Sequence, residues 1–228
     1  MLSERTRTIL NTAVRDYIRE GRPITSEYLY DRYDFGIKPA MIRWELQALA
    51  DEGYFYQLRL SGGRFPTRKA YATYVESIEN NGKLRPLLRR QKSGDPVHEQ
   101  ETLPKEIAES LNVMGAAYDP HRKTFRECGL ANLVEELETD ERGELLNVIR
   151  DIEHLEERLA SRLDAWAADE EWPKVFIGET PLTETKLLSV VIGRLSSPRA
   201  RNSCFVLAVG PLRMNYEKSL ALFRAFEK

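Results

Sequence analysis

The chain has 228 residues, of which 42% are hydrophobic and 31% charged, with a formal net charge of −2. That balance suits one or two globular domains with a real core and excludes a disordered chain. No run approaches the ~20 apolar residues of a membrane span, and Met1-Leu2-Ser3-Glu4-Arg5 opens directly into an amphipathic pattern, so no secretory leader is expected.

Ile9, Leu10, Ala13, Val14, Tyr17 and Ile18 recur at three- and four-residue spacing, which predicts a helix over Ser3 to Glu20. Gly21 ends it and Pro23 prevents a restart. Ser26 suits the N-cap of a short second helix, Glu27 to Tyr33. Asp34-Phe35-Gly36 reads as a turn, and Pro39 sits where a first helical residue needs no N–H. The third helix runs to Asp51, with Ala40, Ile42, Leu46 and Leu49 inward, and Gly53 closes it. Tyr54 to Leu60 alternates and is rich in aromatics, so it reads as a strand; Ser61-Gly62-Gly63 is a tight turn and Arg64-Phe65-Pro66 begins a return strand. Helix, helix, turn, helix, hairpin is the winged-helix order, and residues 1–78 are expected to form a winged-helix DNA-binding domain.

Residues 79–105 change character. Asn80-Asn81-Gly82, Ser93-Gly94-Asp95-Pro96 and Pro104 interrupt them, and Lys83, Arg85, Arg89, Arg90 and Lys92 make them basic. They read as a linker or hinge with a short helix around Leu87. Residues 106–228 read as an α+β unit. Leu111 to Tyr118 is a strand. Asp140 to Trp166 carries the strongest helical signal: Leu145, Ile152, Leu159 and Trp166 fall every seven residues, with Val148 and Leu155 between. A seven-residue repeat suits either a long helix lying across a sheet or a pairing helix in a dimer. Lys174 to Ile177, Leu187 to Leu195 and Cys204 to Val209 read as strands, the last two flanking the polar turn Ser196 to Asn202, and Tyr216 to Phe226 is a closing helix.

The functional signal lies in the first domain. Residues 1–76 hold 12 Lys and Arg against 10 Asp and Glu, whereas residues 77–228 hold 22 against 26, so the charge distribution permits nucleic-acid binding without demanding it. In a helix-turn-helix, residues near the N-terminus of the second helix touch base edges in the major groove. Here those are Lys38, Met41, Arg43 and Trp44. Arg43 suits guanine, whose two acceptors match its fork, and Lys38 suits a phosphate. A surface salt bridge is the plain alternative for Arg43. Trp44 suits packing on the wing, stacking on a sugar, or completing the core. Arg59, Ser61, Gly62, Gly63 and Arg64 form a wing whose small tip lets backbone N–H groups approach DNA, and Arg68 and Lys69 follow it.

Catalysis finds no support. His98, His121 and His154 have no metal-pair spacing and no neighbouring nucleophile, no phosphate-loop or dinucleotide motif occurs, and no metal or cofactor is expected. Cys128 and Cys204 form no disulfide framework and suit reduced thiols in a cytoplasm.

Tyr17-Ile18-Arg19-Glu20-Gly21-Arg22-Pro23-Ile24-Thr25-Ser26 resembles the first helix and turn of the heat-inducible transcription repressor HrcA family. Ala40-Met41-Ile42-Arg43 is similar to that family's Ala-Thr-Ile-Arg, which continues with Asn where this chain has Trp44. Ser61-Gly62-Gly63-Arg64-Phe65-Pro66-Thr67 is similar to its Ser-Ala-Gly-Arg-Ile-Pro-Thr, and Ala70-Tyr71 and Tyr74-Val75 continue the match. Further on, Gly129 to Leu133, Phe176-Ile177-Gly178-Glu179, Leu188 to Val191 and Gly210-Pro211-Leu212-Arg213-Met214-Asn215-Tyr216 resemble family segments in the same order. The chain is shorter than is usual for the family, and the middle is where it differs. The resemblance implies a winged helix followed by a reduced GAF-like domain. It also implies a bacterial cytoplasmic homodimer that represses chaperone genes at an inverted-repeat operator, and the GroE chaperonin as a partner. Leu145, Ile152, Leu159, Trp166, Arg213 and Tyr216 then take dimer or structural roles. A turn before a helix N-terminus also suits an anion at Gly210-Pro211; the plainer reading has Arg213 bonding a carboxylate and Tyr216 packing. Two other functions stay open: a winged-helix regulator answering to a small molecule, and a winged-helix protein-interaction module.

Overall fold

In the computed structural model, which describes residues 2–59, 62–80, 96–166, 171–196 and 203–226, Ser3 starts the first helix, α1 (Glu4–Glu20), by accepting the Thr6 N–H on its hydroxyl at 3.1 Å. Gly21, left-handed at φ 63°, ends it. Ile9, Leu10, Ala13, Val14, Tyr17 and Ile18 are all buried. In α2 (Ser26–Arg32) the cap is Thr25 rather than Ser26: the Thr25 hydroxyl accepts the Tyr28 N–H, and Ser26 becomes a buried first helical residue. Asp16 of α1 is buried and accepts hydroxyl bonds from Tyr28 and Tyr33, which ties α2 and its exit to α1.

α3 (Pro39–Asp51) turns only Ile42, Leu46 and Leu49 inward. Ala40, expected inward, is exposed, because it lies two residues and about 200° around the helix from Ile42. The strand expected over Tyr54 to Leu60 is much shorter. β1 (Phe55–Tyr56) pairs antiparallel with β2 (Phe65–Pro66), Phe55 opposite Pro66 and Tyr56 opposite Phe65. Pro66 has no N–H with which to extend the ladder. A separate bridge joins Ile24 to Arg64. α4 (Arg68–Asn80) buries Ala70, Tyr71, Tyr74, Val75 and Ile78 and packs on α1.

These elements make one compact unit, Met1–Lys83, and a second spans Leu84–Lys228. The second holds α5 (Pro96–Leu111), β3 (Met114–Asp119), β4 (Thr124–Cys128), α6 (Leu130–Glu135), α7 (Arg142–Glu153), α8 (Leu155–Trp166), β5 (Lys174–Ile177), β6 (Leu188–Ser196), β7 (Ser203–Pro211) and α9 (Tyr216–Phe226). Its sheet runs β4-β3-β7-β6-β5, every pair antiparallel. One face presents Met114, Tyr118, Leu188, Val190, Phe205 and Leu207 to Leu133, Val148, Ile152, Leu155, Leu159 and Leu163 from α6, α7 and α8. α5 and α9 cover the other. Both faces are dry, which is why the strands read as nearly continuous apolar runs.

The structure departs from two expectations and decides between two readings of a third feature. The linker of 79–105 gives way to α5 from Pro96 onward, in spite of Pro104; residues 81–95, with the short helix expected near Leu87, fall outside the described residues. The single helix of 140–166 is two, joined at His154 (φ −97°, ψ 0°). The seven-residue repeat therefore serves the sheet rather than a dimer seam: Ile152 and Leu159 are buried in the core, Trp166 stacks on Phe176 at 5.3 Å, and Leu145 is half-buried. Asp151 fixes the joint. Its buried carboxylate accepts the N–H groups of Glu184 and Thr185, at 2.9 and 2.8 Å, and the Arg158 guanidinium. Among the described residues, no helix is long and apolar enough to cross a membrane.

A methyl group added at Gly115 would stand 2.1 Å from the Pro104 carbonyl oxygen, whereas one added at Gly143 meets nothing within 4 Å. Gly115→Ala is therefore expected to cost at least about 1–3 kcal/mol of stability. Gly143→Ala, in α7, is expected to gain up to about 1 kcal/mol. Denaturant titrations of the two variants check both.

Candidate nucleic-acid interface

With Ile42, Leu46 and Leu49 inward, α3 exposes Ala40, Met41, Arg43, Trp44, Gln47, Ala48 and Asp51. Trp44 is 74% exposed and Met41 44%, so Trp44 is not a core residue. Lys38, the N-cap residue, makes no side-chain capping bond and is exposed. Arg43 reaches Glu27 of α2, Nη2 to Oε1 at 3.2 Å, with both side chains mostly in solvent. A pair so exposed is worth about 1 kcal/mol at most and yields readily to a stronger acceptor.

The hairpin differs from its expected form. Arg64, expected as a surface contact, is 6% exposed. Its backbone exchanges two hydrogen bonds with Ile24, at 2.9 and 2.8 Å, and its Nη2 donates to Gln47 Oε1 at 3.0 Å. Burial, helped by the charge of Arg43, pushes its pKa below the usual arginine value. Arg64 is thus a strut between hairpin and α3. Gly63 does not form a bare tip either: a Cβ there would lie 2.6 Å from Pro23 Cβ and 2.8 Å from its carbonyl carbon. Gly62 donates its N–H to Arg59 O at 2.9 Å and accepts from Gln57 Nε2 at 2.8 Å. Ser61 lies outside the described residues. Lys69 is likewise engaged, its ammonium donating to Glu52 O at 2.7 Å and sitting 4.0 Å above the Tyr54 ring, so it closes the C-terminal end of α3.

Of the predicted cations, Lys38, Arg59 and Arg68 are exposed and make no ion pair among the described residues. Between α2, α3 and the hairpin lies an open groove of about 820 Å³, lined by Thr25, Glu27, Arg43, Trp44, Gln47 and Gly62 among others. Gln47 was missed from the sequence, although it lies four residues after Arg43 and so on the same face. Leu58, 73% exposed beside Arg59, was missed too, because an apolar residue in an alternating run reads as buried.

In the second unit Arg213 holds two carboxylates, Nε to Glu138 at 2.7 Å and Nη2 to Glu136 at 3.2 Å. Tyr216 is fully buried; its hydroxyl lies 2.7 Å from Ser189 Oγ and donates to Leu212 O. Burial holds its pKa far above that of a free phenol. No metal-holding group of His, Cys, Asp and Glu occurs among the described residues.

Residues 75–220 match the family model described as the HrcA protein C-terminal domain. A heat-inducible transcription repressor HrcA of Streptomyces avermitilis is 40% identical over 78 residues, 34% of this chain and 23% of that protein. Another, from Bifidobacterium animalis subsp. lactis, is 45% identical over 78 residues, 34% of this chain and 21% of that protein. The matched segments thus span less than a quarter of those two relatives. In fold the chain is similar to the crystal structure of a hypothetical protein, with a TM-score of 0.78 at 16% identity, over 100% of this chain and 98% of that one.

Gly63→Ala is expected to push the hairpin off Pro23 and break the Ile24–Arg64 bonds. Hydrogen exchange should then show both amides losing protection, while Gly62→Ala, whose Cβ would sit 3.2 Å from Arg59 O, leaves most of it in place.

Proposed function

The chain belongs to the HrcA family, and on that premise we propose that it is a sequence-specific DNA-binding repressor of heat-shock genes. In this reading the first unit is a winged helix, α3 its recognition helix and β1–β2 its wing. The second unit is a reduced GAF-like domain through which two copies pair, so that two recognition helices meet the half-sites of an inverted repeat. The observation that carries the reading is the one-sided burial of α3, which leaves Met41, Arg43, Trp44 and Gln47 on a single exposed face beside the hairpin.

The roles divide by chemistry. Lys38, Arg59 and Arg68 are exposed cations and suit phosphates, which position the protein without reading sequence. Arg43 exchanges its solvent-exposed partner Glu27 for the two acceptors of a guanine. Arg64 and Lys69 act behind the surface, holding the wing and the end of α3 in place. Six phosphate contacts per dimer give a salt slope of about −5.

The test is a titration of the protein against the inverted-repeat operator of this family and a scrambled duplex of equal length, at fixed salt and rising temperature. Operator preference that disappears on warming supports the reading, and equal binding to both duplexes sinks it. Arg43→Ala is expected to cost roughly 1–3 kcal/mol and to relax preference at one base pair, whereas Arg59→Ala weakens binding to all sequences alike and lowers the salt slope by about 1.

A further inference from the structure

The exposed face of α3 holds both polar and apolar groups, and the polar ones are engaged. Gln47 is held at both ends of its amide, Oε1 by Arg64 at 3.0 Å and Nε2 on Asp51 at 2.9 Å, which removes it as a free two-point reader of adenine. Arg43 is paired with Glu27 in the free protein and is assigned above to guanine. The groups that remain unengaged form an apolar strip. Met41 and Trp44 are three residues apart, and Ala40 and Ala48 lie four residues to either side of Trp44, so all four share one side of the helix. All four are exposed, and the small alanines leave the indole standing clear of its own helix.

An apolar strip of this size costs free energy in water and needs a surface to meet. On the duplex floor of the major groove there is one apolar feature that distinguishes bases, the C5-methyl group of thymine. The surroundings fit a duplex rather than a protein: Lys38 at the start of α3, Arg59 on the hairpin and Arg68 at the start of α4 are all exposed cations without an ion pair among the described residues. An apolar protein partner would leave those three charges unanswered.

We propose that Met41 and Trp44 read thymine methyl groups, so that each operator half-site carries one or more thymines opposite the N-terminal half of α3, selected by apolar contact. The inference rests on the DNA-binding reading above and adds to it a class of base contact. Trp44 is then a specificity-determining residue, and Gln47 a positioning residue that links α3 to Arg64.

The experiment begins with selection of bound duplexes from a random library by the full chain. Each thymine of the selected site is then replaced singly by deoxyuridine, which removes only the methyl. The expected result is at least one thymine per half-site whose replacement weakens binding roughly fourfold, the equivalent of about 0.8 kcal/mol for one buried CH₂. Trp44→Ala or Met41→Ala should bind the thymine and deoxyuridine forms of that position equally. Because both side chains are exposed, neither truncation touches the core, and circular dichroism verifies the fold of each variant. Insensitivity to deoxyuridine at every thymine of a well-defined site overturns the inference and leaves DNA binding standing. Methyl sensitivity that survives in both variants overturns it as well, and so does a Trp44→Ala variant with unchanged affinity for every duplex, which would turn the strip toward a protein. A library that yields no enriched sequence overturns the DNA-binding reading and this inference with it.

Discussion

The first unit is organised by two backbone hydrogen bonds between Ile24 and Arg64. The β1–β2 hairpin has two residues on each strand, and a hairpin of that length does not persist in water by itself. Pairing with Ile24 adds a third piece of extended chain. It also brings Gly63 against Pro23, an approach that no side chain would permit. Arg64 then carries the connection across to Gln47 on α3. The distance between hairpin and helix is thus set at residues 23 and 24, in the α1–α2 loop, where Pro23 fixes its own φ. Any ligand that spans α3 and the hairpin depends on that loop without touching it.

The second unit is organised by a sheet that is dry on both faces. Its antiparallel strands need helical cover above and below, and the chain supplies it by sending α6, α7 and α8 to one side and α5 and α9 to the other. The α7–α8 joint would leave polar groups exposed to that apolar interior. Asp151 answers this by collecting three donors, two backbone N–H groups from the segment before β6 and one guanidinium. A buried carboxylate with that many partners is satisfied rather than reactive, which suits a scaffold better than a catalytic group.

Much of this was legible in the sequence because burial and helical period agree. The stripe from Ile9 to Ile18, Gly21 at the end of α1, Pro39 at the start of α3 and the three long apolar strands all follow from local rules. What was not legible came from long-range contacts. Arg64 reads as a surface cation until Ile24 and Gln47 enclose it. Lys69 reads as free until the end of α3 arrives beneath it. Pro104 reads as a helix breaker, yet α5 runs through it, and its carbonyl lies close against Gly115, eleven residues further on. The seven-residue repeat from Leu145 to Trp166 carries a true apolar face but gives no sign of what covers it, and Asp151, beside the break at His154, takes two of its three donors from backbone more than thirty residues away. At the interface, Arg43 reads as a surface residue from its place in the second helix of the motif, whereas Trp44 reads equally as a core or a surface residue until the fold exposes it, and the engagement of Gln47 depends on a residue seventeen positions distant.

The two sides of the sheet differ in the side chains they carry. Toward α7 and α8 the strands carry the larger side chains Met114, Tyr118, Phe205 and Leu207, which hold the helices off the main chain of the sheet. Toward α5 and α9 they carry Gly115, Ala117, Gly193 and Ala208, and an added Cβ at either glycine would lie under 3 Å from the helix above it. At Gly115 the contact is with the main chain of α5 and at Gly193 with the Phe223 ring of α9, and such close packing has little compressibility, so both helices lie hard against the sheet. The cushion of long side chains is on the opposite side. If the unit breathes, the soft coordinate is the separation of α7 and α8 from the sheet, and the Asp151 clasp is the tether that limits its travel.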